Sequence, residues 1–219
     1  MLDLINEHTV KIILVMQEGD SIREISKKTG SSYGWTYKWI KKLEEINILK
    51  TSSQGIKIKD KETVEKFKSL SKSILKKKIE LKDAYLLPNF AKMKYAYTKT
   101  DAVWIWTQGG YQIGRSRENY PIFIKILEKD INKWRNFFKT YSVKCKVKER
   151  AKEGIHFVLE PEKNFEPKWK GEYQVISLKE TVKWANKHKT SFQPALEMLK
   201  EMYGLNIDVE YKERKKLKA

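Results

Sequence analysis

Cysteine is nearly absent. Cys145 is the only one in 219 residues, which excludes an internal disulfide and any zinc site built on several thiolates. Histidine is scarce as well: His8, His156 and His188 lie far apart in the chain and match no metal-ligand spacing. No metal and no cofactor is therefore expected. No run of about 18 apolar residues occurs, so no membrane partner is expected. The opening MLDLINEHTVKII carries early acids and lacks a long apolar segment, unlike a signal peptide. The expected compartment is the cytoplasm. Acid is the remaining shortage, with 28 Asp and Glu against 46 Lys and Arg, a net charge of +18. A thermophilic composition raises Lys and Glu together; here the acids lag, which points to a polyanionic partner, nucleic acid by default.

What is present suffices for a core: 40% of residues are hydrophobic and 12% aromatic. In NEHTVKIILVMQEG, Val10, Ile13, Leu14 and Met16 recur at near-helical spacing up to Gly19. DSIREISKKTG follows, with Ser21 and Glu24 spaced as a capping box, Ile22 and Ile25 as the apolar stripe and Gly30 as the stop. A third helix starts at Ser31 or Ser32 and runs to about Glu45. NILKTSSQGIKIKD then reads as two short strands around a Ser-Ser-Gln-Gly turn, with Ile48, Ile56 and Ile58 alternating against polar residues.

The stretch SIREISKKTGSSYGWTYKWIKKLEEINILK resembles the winged-helix transcription regulators of bacteria and archaea, the broad MarR/ArsR/TrmB-like group, over about residues 8–60. Ser31 stands where that family usually has an apolar residue. The resemblance implies a DNA-binding domain at 1–60, with a recognition helix at about 32–45 in the major groove and a wing at about 48–59 on the backbone or minor groove. Read at 100° per residue, Thr36, Trp39, Ile40 and Leu43 form the inward arc of that helix, and Gly34, Lys38 and Lys41 the outward one. Tyr33 and Tyr37 flank one side, Trp35 and Lys42 the other. Lysines suit phosphates or guanine acceptors, and Ser32 and the tyrosines can hydrogen-bond phosphate or base edges. Gly34 permits close backbone approach, while Trp35 is expected to wedge against the wing or the first helix. Ser53, Gln54 and Lys57 are the candidate contacts of the wing. The competing reading is a solvated face on a protein-interaction domain.

Residues 61–88 read as a linker helix, with Val64, Phe67, Leu70, Ile74 and Leu81 as a seam broken at Ser71 and Lys78. The seam packs on its own chain or forms a homodimer, and LLPN at 86–89 ends the helix and marks a boundary. Residues 89–219 mix KYAYT, DAVWIWT, YPIFIKIL, VKCKVKE and GIHFVLEPE as strands with three helical segments, EKDINKWRNFFKTY, SLKETVKWANKHK capped by Ser177, and SFQPALEMLKEMYG capped by Ser191 with Pro194 in its first turn. The whole is expected to be α+β, an N-terminal winged helix, a linker helix and a C-terminal mixed domain.

VWIWTQGGYQIGRSRENYPIFIKI reads as strand, Gly-Gly, turn, strand and loosely resembles the opening of the nucleotidyltransferase fold. That fold needs paired carboxylates for magnesium on the second strand, and Tyr120 to Ile124 hold none. No catalytic residue and no enzymatic activity is expected, although Asp101 and Glu118 lie nearby. Cys145 alternates with Val143 and Val147 toward a core. Lys144, Lys146 and Lys148 line the other face, either tracking nucleic acid or guarding an edge strand. Tyr95 with Tyr97 and Trp104 with Trp106 would share sheet faces, packed under helices or open to single-stranded bases. The tail YKERKKLKA reads as frayed. The function expected is sequence-specific binding of double-stranded DNA as a transcription regulator, with residues 89–219 as a sensor or assembly domain for a small molecule or a protein. The alternative is a catalytically inactive nucleotidyltransferase-like interaction protein of toxin–antitoxin type with an autoregulatory winged helix.

Overall fold

The computed structural model describes residues 4–77, 79–116 and 118–209. The seam break at Lys78 and the tail 211–219 lie outside those residues. Asn6 opens helix α1 (Glu7–Val15), its Oδ1 accepting from the amides of His8 and Thr9 at 2.8 and 3.1 Å. Helix α2 (Ile22–Thr29) begins with the capping box read from the sequence: Ser21 Oγ accepts from the Glu24 amide at 3.2 Å, and Glu24 Oε2 from the Ser21 amide at 2.7 Å. Gly30 ends it in the left-handed region at φ 69°, where a side chain would be strained. Ser32, not Ser31, caps helix α3 (Tyr33–Glu45), accepting from the Trp35 amide at 3.3 Å.

The hairpin is antiparallel, β1 (Leu49–Ser52) against β2 (Gly55–Ile58), with Ser53 and Gln54 at the turn. Strand pairing starts at Leu49, one residue after the predicted Ile48. Leu49 faces Ile58 and Thr51 faces Ile56. Ile12, Ile13, Ile25, Ile40, Leu43, Leu49 and Ile56 close one apolar core together with Val64 of helix α4 (Lys61–Lys77).

The single linker helix is not found. The chain leaves helical geometry before Leu81, and a separate helix α5 (Leu81–Leu86) follows extended Glu80. LLPN does not end helical structure either. It runs into a 3-10 turn, Leu87–Ala91, whose Leu87, Pro88 and Asn89 are buried. On α4, Val64 packs into the core and Phe67 against it, while Leu70 and Ile74 stand exposed.

Residues 95–175 build a six-stranded mixed sheet in the order β5-β6-β4-β3-β8-β7. The strands are β3 (Tyr95–Tyr97), β4 (Asn119–Leu127), β5 (Lys144–Val147), β6 (Gly154–Glu162), β7 (Lys168–Lys170) and β8 (Tyr173–Val175). Strands β4, β5 and β6 run parallel, β3 is antiparallel to β4 and parallel to β8, and β7 turns back on β8. Helix α7 (Ile131–Thr140) covers one face, Phe138 stacking on Phe157 with ring centroids 4.2 Å apart. With the two-stranded hairpin and the helices, the architecture is α+β.

DAVWIWT is not a strand but most of helix α6 (Lys99–Trp106). Asp101, Ala102, Val103 and Ile105 are all buried, so the helix is covered on most sides and shows no apolar stripe by which to recognise it. Trp104 and Trp106 consequently point about 200° apart and share no sheet face. Tyr95 and Tyr97 do share one, but both are fully buried and cannot stack on bases. After helix α8 (Leu178–Lys187), helix α9 (Lys189–Tyr203) begins two residues before Ser191. Ser191 is thus inside the helix, its amide bonded to the His188 carbonyl at 3.0 Å, and Pro194 lies beyond the first turn.

A buried asparagine joins helix α2 to the six-stranded sheet. Asn89 Nδ2 donates to the Lys28 carbonyl of α2 at 2.9 Å and to the Glu172 carbonyl between β7 and β8 at 3.0 Å, and its Oδ1 accepts from the Tyr95 hydroxyl at 2.6 Å. Among the described residues no helix is long and apolar enough to cross a membrane.

Candidate nucleic-acid interface

Helix α3 separates its faces as its spacing predicts. Thr36, Trp39, Ile40 and Leu43 are buried, while Tyr33, Gly34, Trp35, Tyr37 and Lys38 are exposed. Its lysines lie over its aromatic rings: Lys38 Nζ is 4.8 Å from the Trp35 centroid, Lys41 Nζ 5.7 Å from Tyr37 and Lys42 Nζ 4.7 Å from Trp39. These i,i+3 and i,i+4 pairs hold cations at the surface beside flat apolar faces. Trp35 meets helix α1 rather than the hairpin, edge-on to the His8 ring at 5.2 Å. Beyond its chain neighbours and its own helix backbone, nothing lies within 4 Å of where a Cβ on Gly34 would stand, so this face is open to an approaching ligand.

The β1–β2 hairpin sits beside this face. Tyr33, Arg23, Ser52 and Ser53 line one open cleft of about 350 Å³ between the helices and the hairpin. Ser53, Gln54 and Lys57 are exposed. Lys57 is paired across the strands with Lys50, also exposed. Two like charges directly opposite one another repel, and an anion between them relieves the repulsion. Neither Lys50 nor Arg23 was among the predicted contacts. A period of two counted from Ile48 puts Lys50 inward, and only the register of the hairpin turns it out opposite Lys57; the signal for Arg23 lies only in the packing of α2 beside the hairpin.

Lys41 does not stand alone on the outer arc. Its ammonium is 2.6 Å from Glu44 Oε2, and Glu44 Oε1 accepts from the Thr51 amide at 2.7 Å and the Thr51 hydroxyl at 2.9 Å. The helix is thereby tied to β1. The Lys41 ammonium, then the Thr51 amide, hold the Glu44 carboxyl down at about 2, and Glu44 raises Lys41. A depressed folded-state value stabilises the native state above the unfolded value of about 4.3, and that stabilisation is lost as pH falls toward about 2. The difference in melting temperature between wild type and Glu44→Gln should therefore shrink as the buffer is taken from pH 5 to about 2. A difference constant over that window would show that the charge on Glu44 contributes nothing.

In the second half the Gly109-Gly110 pair follows helix α6 rather than a strand, and irregular chain leads from it to β4. Asp101 is fully buried. It accepts from the Tyr85 hydroxyl, from Arg115 Nη1 at 2.9 Å and from the Phe123 amide at 2.8 Å. Arg115 stacks over the Tyr120 ring at 4.3 Å. Burial opposes the charge on Arg115, but the Asp101 carboxylate outweighs it and raises the guanidinium above its ordinary value; burial, and next Asp101, push Tyr85 upward. The cluster holds one acid closed among its partners, and Glu118 is exposed. Among the described residues no group of three or more His, Cys, Asp or Glu could hold a metal. Cys145 packs half-buried against the core, and burial raises its thiol. Lys144 and Lys146 lie on edge strand β5 and are paired with Glu153 at 2.8 Å and Glu149 at 3.7 Å.

No family model, no curated protein and no solved structure matches this chain.

Proposed function

We propose that this protein is a sequence-specific double-stranded DNA-binding transcription regulator in which residues 8–60 act as a winged helix-turn-helix. Helix α3 enters the major groove, and the hairpin lies on the backbone or in the minor groove. The observation that carries the reading is the outer face of α3: Tyr33, Gly34, Tyr37 and Lys38 are exposed side by side, with no acid in the first turn, next to a wing bearing Lys50 and Lys57. A helix of 13 residues is about 20 Å long, enough to follow the groove. A solvated face needs neither the paired lysines of the wing nor three exposed aromatics. We place the surface of a homodimer at exposed Leu70 and Ile74 of α4, which would present two copies of α3 to two half-sites.

The test is a titration against genomic duplex fragments, RNA and poly-dT. A preferred duplex is expected, and equal affinity for all three would sink the proposal. Two chains per duplex site support the dimer; one chain per site excludes it. Lys38→Ala should weaken binding, lowering the salt slope by about one if it meets phosphate, or discrimination at one base pair by about 1–3 kcal/mol if it reads guanine. Gly34→Ala should leave thermal stability equal or higher, since the site is open and alanine favours helix by up to about 1 kcal/mol, yet reduce affinity because the methyl group intrudes on the groove. Wild-type binding by both variants would place the DNA face elsewhere.

A further inference from the structure

On the face of the sheet opposite α7, strands β4 and β6, helix α6 and the α8–α9 junction enclose a pocket of about 380 Å³. One wall is cationic. Lys99, Lys148 and Arg150 line it, and Lys99 and Arg150 both approach the Phe123 ring, at 5.2 and 5.3 Å. The other wall is aromatic, with Trp184 against His188 at a centroid separation of 4.6 Å.

The charge of this pocket is not neutralised. Glu160 pairs with Lys99 and is the one carboxylate among the lining residues. Lys148 and Arg150 have no acidic partner among the described residues, whereas the neighbouring Lys144 and Lys146 are paired. Along β5 itself the positive charge is thus compensated, so it gathers at the pocket and does not form a track for a polymer. Lys99 and Lys148 both hold left-handed backbone, at φ 53° and 58°. Such conformations are costly for lysine. The same field reaches the buried His156, whose imidazole is held below its ordinary value by burial and then by Arg150, Lys144 and Lys146.

We propose that this pocket binds a small organic phosphate monoester, its dianion held by Arg150, Lys148 and Lys99 and its apolar ring set against Trp184 and His188. The net excess of two positive charges matches a dianion, and the guanidinium fork suits a phosphoryl group. The proposal gives the sensor reading of residues 89–219 a ligand class and rests on that reading for its regulatory consequence.

The experiment is calorimetric titration of the full-length protein, without DNA, with phenyl phosphate, inorganic phosphate and phenol. Saturable binding of phenyl phosphate is expected, with a dissociation constant of about 1 mM or tighter. Inorganic phosphate should bind more weakly by about tenfold, because stacking is lost, and phenol should not bind. Arg150→Gln and Lys148→Gln, both at exposed side chains, should each weaken phenyl phosphate by about tenfold at unchanged melting temperature. Absence of saturation up to about 20 mM, equal affinity for inorganic phosphate, or binding indifferent to both variants would overturn the proposal. Saturable binding that leaves duplex affinity unchanged supports the site and counts against the sensor reading alone.

Discussion

Asp101→Ala is expected to destabilise the protein by about 3–5 kcal/mol, the cost of leaving a buried partner charge uncompensated. Asp101 is fully buried and the Arg115 side chain is 7% exposed, so water cannot replace the lost carboxylate. The Phe123 amide and the Tyr85 hydroxyl would lose their acceptor in the same step. Arg115 also donates to the Pro121 carbonyl at 2.7 Å, so the charge cannot leave without releasing the irregular chain that precedes β4. Urea denaturation at neutral pH measures the loss. The double variant Asp101→Ala/Arg115→Met should recover part of it, because removing both charges ends the desolvation cost that each single change exposes. A single-variant loss below about 1 kcal/mol, or a double variant no more stable than the single, would show that the pair does not hold this segment.

The second large effect is expected at the β1–β2 hairpin. Gly55 has φ +97°, and a Cβ there would stand 2.2 Å from the Gly19 carbonyl oxygen and 2.9 Å from that of Asp20. Both obstacles are backbone, so no rotamer change relieves the clash. The same two residues anchor the hairpin: the Gly19 amide donates to the Ile56 carbonyl and the Ile56 amide to the Asp20 carbonyl, each at 2.9 Å. Gly55→Ala should cost about 2–4 kcal/mol, combining left-handed strain with overpacking, and displace the hairpin from the α1–α2 turn. Thermal denaturation and duplex binding should both fall, in contrast to Gly34→Ala, where the space is open. A Gly55→Ala protein as stable as wild type would mean that the hairpin is not docked on this turn.

The N-terminal sixty residues were legible because their signals are local. The Ser21–Glu24 box, the left-handed Gly30 and the Ser32 cap each act within four residues, and the inward arc of α3 follows from helical period alone. Strands β4, β5 and β6 and helix α7 were legible for the same reason. Helix α6 was not. Being buried on most sides, it carries β-branched and aromatic residues without a stripe, a composition that strands share. Strands β7 and β8 went unread because each has three residues and β7 buries none of them, whereas the equally short β3 is buried throughout and rich in aromatics.

Sequence determined the excess of positive charge, the helix boundaries at Ser21, Gly30 and Ser177, and which side chains of α3 face out, since all three depend on residue identity and on separations of a few positions. Tertiary structure alone decided that Lys41 is tied through Glu44 to Thr51, that Lys50 stands opposite Lys57, that Asp101 is closed around Arg115, and that Arg150, Lys148 and Lys99 meet Trp184 across one pocket. Those contacts join residues brought together by strand register and by the mixed order of the sheet. Pairing across such separations is selected by burial of the whole core, which no local pattern encodes.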